Sequence, residues 1–138
     1  MSTAGASGAG WRANRWYRGI AAVVLSVVVN AGLVSLAVAA GIAPGFRPLA
    51  VAPVAIFSAV GAIGALVVYL ALGRFTASPD RLFRAVAVVV LLLSFVPDVA
   101  LLFVDEAATV AGVVVLMMMH ATVAAICVWL IPEGTATR

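Results

Sequence analysis

The sequence has no lysine, one cysteine, one histidine and five acidic residues in 138. Each scarcity excludes something. A lone cysteine, Cys127, makes no intrachain disulfide and no CxxC metal or redox motif; in its apolar stretch it reads as a small buried hydrophobe. A lone histidine, His120, cannot ligate a haem from both sides within one chain. Charged residues make up 9% of the chain, where a soluble domain carries about a quarter. Such a chain cannot clothe a core in polar side chains, so lipid must be its solvent. Also missing are HExxH, a P-loop, a GxGxxG followed by a strand, and a serine nucleophile elbow. No long polar loop remains to house a reaction. The chain therefore reads as non-enzymatic, without a cofactor or a bound metal.

What is present is apolar: 66% of the residues are hydrophobic. They fall into four long runs, and these predict helices over 17–43, 49–73, 79–104 and 106–131. At 1.5 Å rise per residue, each is long enough to cross a hydrocarbon core of about 30 Å. Only helices satisfy their backbone groups within one such segment. The fold class is thus all-α: an integral membrane protein with four transmembrane helices in an up-down bundle spanning 17–132. Residues 1–16, opening with MSTAGASGAG, lack apolar periodicity and read as a disordered cytoplasmic tail. Residues 133–138 form a short cytoplasmic C-terminal tail.

The breaks carry punctuation. GIAPGFRP, residues 41–48, holds two glycines and two prolines and predicts a tight turn. Ser78 suits an N-cap, Pro79 the first helical position, and Asp80 the positive helix end. Asp105 is expected to cap helix four, with Glu106 in its first turn, and Pro132 stops that helix. Alternatively, AVAAGIA at 37–43 could end a signal peptide. The preceding apolar run is much longer than the 7–15 residues typical of such a segment, so an uncleaved first helix is the better reading.

Orientation follows from the arginines. Arg12, Arg15, Arg18, Arg74, Arg81, Arg84 and Arg138 all fall on one side of a four-helix topology. Arg47 falls on the other, with Asp105 and Glu106. The positive-inside rule then places both termini in the cytoplasm, in the cell membrane. Trp11, Trp16, Tyr17, Tyr69 and Trp129 lie near the same face as interfacial anchors. The basic balance, net charge +3, is thus a matter of topology, and nucleic acid is not an expected partner.

Five of the polar residues inside the runs make a candidate intramembrane site. Asn30 is mid-membrane in helix one, Ser58 lies in helix two, and Ser94 lies in helix three with Asp98 one turn on. His120 follows the Met117–Met119 run in helix four. The three methionines point in three directions and read as filler. Pro97 offers no N–H to the Leu93 carbonyl and predicts a kink, with Ser94 placed to bond a freed carbonyl or the carboxyl. Counting along the helices puts Asp98 about 9 Å and His120 about 20 Å from the outer boundary. That gap of roughly 10 Å exceeds a hydrogen bond, so the expectation is two neutral groups gluing helices and ignoring each other. The alternative is a proton- or cation-binding pair. Ser58, Gly61 and Ala65 in helix two are spaced for close backbone approach, which predicts that a bulky residue at Gly61 harms more than loss of Asn30.

The second half carries a further signal. LGRFTASPDRLFRAVAVVVLLLSFVPDVALL, followed by AATVAGVVVLMMMHATVAAICVWLIP, resembles a family of small four-helix membrane proteins of unknown function from actinobacteria and haloarchaea. The carrying residues are Arg74, Arg81, Ser94, Pro97, Ala108–Thr109, Met119–His120 and Pro132, over residues 49–132. The chain departs from that pattern in having Val96 before the proline and an acid after it. The resemblance implies a four-helix membrane architecture and no particular activity. The sequence thus points to an accessory or scaffold protein of the bilayer, packing with itself or in a larger membrane complex. The rival is a small proton- or cation-coupled carrier using Asp98 and His120 as an oligomer.

Overall fold

The computed structural model describes the backbone of residues 7–132 and the side chains of residues 14–132. Its elements are α1 (Ser7–Ala39), a short 3-10 turn (Arg47–Leu49), α2 (Val51–Phe75), α3 (Pro79–Val104) and α4 (Val110–Leu130), with no strand among the described residues. All four helices contain stretches long and apolar enough to cross a membrane. Their surfaces agree with that solvent. Val24, Val28, Leu36, Ile56, Phe57, Val60, Val88–Val90, Leu92, Leu93 and Val96 are all exposed, far more apolar surface than a water-soluble monomer presents.

The helix ends differ from the sequence expectations, and each difference has a local cause. Helical backbone reaches back to Ser7, so part of the segment expected to be a disordered tail is helix; residues 1–6 and 133–138 lie outside the described residues. α1 stops at Ala39 instead of 43 because the chain turns left-handed at Gly41, φ +70°. Gly41 N–H donates to the Val38 carbonyl and Ile42 N–H to that of Ala37, a Schellman cap built on glycine. Ala43 (φ +50°) and Gly45 (φ +84°) continue the turn. The turn then folds Phe46 and Leu49 under the bundle, 3% and 4% exposed, and α2 starts at Val51 instead of 49.

α4 starts at Val110 instead of 106, and Asp105 does not cap it. Asp105 ends α3, and its carboxylate accepts from Ala107 N–H in a local turn. Thr109 takes the N-cap role, its hydroxyl accepting from Gly112 N–H at 3.1 Å. Ser78 occupies the N-cap position of α3 with Pro79 following, but its side chain makes no capping bond. Asp80 instead accepts from the Tyr69 hydroxyl at 2.7 Å. Tyr69 is therefore no interfacial anchor. It is 5% exposed and packs edge-on against Phe83. Trp16, Tyr17 and Trp129 are exposed as an interfacial belt requires.

α1 packs on α2 and α4, α3 packs mainly on α4, and α2 touches α3 and α4 more lightly. The core has two apolar ends with a polar middle. One end gathers Val34, Phe46, Leu49, Val113 and Leu116; the other gathers Ala22, Leu66, Phe83, Cys127 and Ile131. Between them lie buried Ser26, Asn30, Ser58 and Asp98. α3 is the least embedded helix, with only Phe83 and Asp98 buried. Arg18 closes the bundle: its Nε donates to the Leu130 carbonyl at 2.7 Å and its Nη2 to that of Pro132 at 2.6 Å. Those carbonyls lie where α4 runs out of internal donors, and a cation is favoured there by the helix dipole.

Candidate functional site

The polar middle contains two clusters. The first joins three helices. Asn30 Nδ2 donates to Ser58 Oγ at 2.9 Å and to the Met119 carbonyl at 3.2 Å. α1, α2 and α4 are thereby tied at one level by a side chain only 2% exposed. Asn30 Oδ1 and Ser26 Oγ are buried without a hydrogen-bond partner among the described residues.

The second cluster overturns the expectation that Asp98 and His120 stand apart. His120 Nδ1 lies 3.0 Å from Asp98 Oδ2. Two features of the helices close the expected gap. First, Asp98 stands six residues before Val104 and His120 ten after Val110, which is about 9 and 15 Å along the two helices. Starting α4 at Val110 thus removes about half of the gap. Second, helical side chains lean toward the N-terminus of their own helix. The chain reverses through residues 105–109, so Asp98 leans away from that connection and His120 leans toward it. The two side chains close the remaining distance from opposite directions.

Ser94 is not part of either cluster. Its hydroxyl donates to the Leu91 carbonyl at 2.6 Å, three residues back on its own helix, and so bonds neither the carboxyl nor the carbonyl of Leu93. α3 runs through Pro97 without a break in its helical assignment. Of the five predicted residues, Asn30 pairs with Ser58, Asp98 with His120, and Ser94 only with its own backbone.

The tautomer follows from the neighbours. His120 Nδ1 is also 2.9 Å from the Leu116 carbonyl, which can only accept, so Nδ1 carries a hydrogen directed to it. Asp98 Oδ2 then lies against the ring without a hydrogen bond of its own, although its side chain is only 8% exposed. The geometry is that of an orienting carbonyl and a carboxyl group beside one imidazole, with Nε2 left as the ring's acceptor nitrogen. The His120 side chain is 40% exposed. The Leu116 carbonyl and Asp98 Oδ2 occupy the Nδ1 side, so that exposure falls on the rest of the ring, Nε2 included.

Sequence reasoning missed the backbone half of this site. The Leu116 carbonyl was findable, since it lies four residues before His120 on the same helix face. The Met119 carbonyl and the Arg18 clamp were not, because any residue type can offer a carbonyl.

No curated protein and no solved structure matches the chain. A family model does match, over residues 11–137. That match covers nearly all of the four candidate membrane helices, and the family's role is unassigned: the chain belongs to the family of unknown function DUF6069.

Proposed function

We propose that the protein is a non-enzymatic accessory or scaffold component of the cell membrane whose Asp98–His120 pair binds a proton within the bilayer. The observation that carries the reading is the 3.0 Å contact between a buried carboxyl oxygen and a partly exposed imidazole. Ionisable groups inside a membrane are costly and tend to serve a pathway or a switch. Here each group provides what the other needs on ionising. Up-down topology with both termini cytoplasmic is supported by the arginine distribution. It is also supported by the contacts of Arg18 with Leu130 and Pro132 and of Tyr69 with Asp80, which bring the start of α1 to the end of α4 and the end of α2 to the start of α3.

The test is an NMR titration of the imidazole in lipid nanodiscs, in the parent and in Asp98→Asn. The two curves should differ, because in the parent the carboxyl oxygen lies 3.0 Å from the ring nitrogen. Coincident curves would remove the proton-binding role. Reporters fused at each end should both read cytoplasmic, and an outside signal from either would sink the topology.

The same contact favours a second reading, a proton- or cation-coupled carrier working as an oligomer. Reconstituted vesicles separate the two. Proton or cation flux that disappears with Asp98→Asn makes the protein a carrier; an intact titration difference without flux leaves it an accessory component.

A further inference from the structure

We infer that the outward edge of His120 is a docking point, inside the bilayer, for the hydroxyl of a lipid-soluble phenol or quinol. The inference rests on the proton-binding reading of the Asp98–His120 pair and names what that pair meets on its lipid side. Three observations carry it. The ring is fixed: Nδ1 is held at 2.9 Å by the Leu116 carbonyl, and no described residue hydrogen-bonds Nε2. The open edge is at the surface, since the side chain is 40% exposed while the carboxyl behind it is 8% exposed. Finally, the edge is deep. His120 stands ten residues into a 21-residue membrane-length helix, about 15 Å from its start and so near the middle of a hydrocarbon core of about 30 Å.

Depth selects the ligand class. Phosphate headgroups, free ions and sugars do not reach the centre of a bilayer, so the molecule meeting Nε2 must itself dissolve in hydrocarbon. With Nδ1 protonated, the neutral ring presents Nε2 as an acceptor, and the ligand must bring a donor. The carboxylate selects further. Asp98 balances the charge that appears if the ring takes the donor's proton, and such sharing needs a hydroxyl of acidity near that of the base. A phenolic hydroxyl, with a pKa of about 10 against about 6.5 for imidazolium, comes nearer to this than an aliphatic alcohol and is the stronger hydrogen-bond donor. The bound state is an O–H hydrogen bond from the phenol to Nε2, with the proton on the phenol oxygen.

The experiment follows the ring-nitrogen resonances of His120 in nanodiscs titrated with trimethylhydroquinone, kept reduced, or with its dimethyl ether. The ether partitions into lipid as well but has no hydroxyl to donate. The expected result is a saturable Nε2 shift with the hydroquinone and none with the ether. His120→Asn should abolish saturable binding of the hydroquinone, measured by its own resonances, while keeping the fold, because its amide can replace Nδ1 as donor to the Leu116 carbonyl. Equal shifts from both compounds, no shift from either, or undiminished binding in His120→Asn would overturn the docking inference. If the imidazole then still senses Asp98, the proton-binding reading survives. Hydroquinone binding to a ring whose titration ignores Asp98 would overturn both, since the choice of an acidic hydroxyl rests on that carboxylate.

Discussion

Replacing Gly112 by alanine should destabilise the bundle, although alanine is the better helix former. A Cβ built on Gly112 would stand 2.7 Å from the Ala43 Cβ, 3.3 Å from Phe46 Cδ1 and 3.3 Å from Thr109 Oγ1. The first distance is about 1 Å inside the optimal carbon–carbon separation of 3.5–4.0 Å. The obstructing atom cannot swing aside, because a Cβ is fixed to its backbone and Ala43 is held at φ +50° in the α1–α2 turn. Overpacking of this kind costs about 1–3 kcal/mol, while helix propensity returns at most about 1 kcal/mol. Gly64→Ala isolates the clash, since a Cβ there meets nothing within 4 Å. Reversible unfolding in mixed micelles, followed by tryptophan fluorescence, should place Gly112→Ala about 1–3 kcal/mol below Gly64→Ala. Ala43→Gly removes the opposing atom and suits the left-handed backbone, so it should rescue Gly112→Ala in a double-mutant cycle. A Gly112→Ala protein as stable as Gly64→Ala, or a cycle without coupling, would refute the close approach of α4 to the turn.

Asn30→Leu should destabilise more than Gly61→Leu, the reverse of the order expected from sequence. Asn30 loses two interhelical bonds worth about 0.6 kcal/mol each in membranes, whereas exposed Gly61 presents to its surroundings a Cβ position whose nearest contact, Val123 Cγ1 at 3.6 Å, is ordinary. Unfolding midpoints in the same micelles would settle the order, and a costlier Gly61→Leu would show that α2 is misplaced. Arg18→Met keeps an apolar stem but loses both bonds to the end of α4, and should cost about 1.5–3 kcal/mol. Equal stability of this variant in the same assay would show that water serves those carbonyls as well as the guanidinium does.

The membrane helices were legible because apolar run length is a coarse, cumulative signal that no single residue can spoil. Their ends were less so. Asp105 and Thr109 are both good capping residues; the competition was decided by a local turn at Asp105–Ala107 that competes for the same carboxylate. The pairing of Asp98 with His120 was hidden by that small boundary error, since four residues of helix carry a group about 6 Å in depth. Gly61 was singled out over Gly112 because spacing reveals which small residues share a stripe. It does not reveal which stripe faces a neighbour. Gly19 makes the same point: its Cβ would collide with the Leu66 side chain at 2.5 Å, a contact set by how α1 and α2 are rotated.

The Arg18 clamp has a consequence for the order of events at the ribosome. Arg18 belongs to α1, and the carbonyls it binds belong to residues 130 and 132, which are made only after α2, α3 and α4. Asn30 can find Ser58 once α2 has entered the membrane, but its second acceptor, the Met119 carbonyl, arrives only with α4. Until then the first helix holds a guanidinium and half an amide without their final partners, and a polar group in that state invites capture by lipid headgroups, insertion factors or membrane proteases. Arrival of α4 and closure of the bundle are thus one event, so a nascent chain stalled before α4 displays its incompleteness in α1.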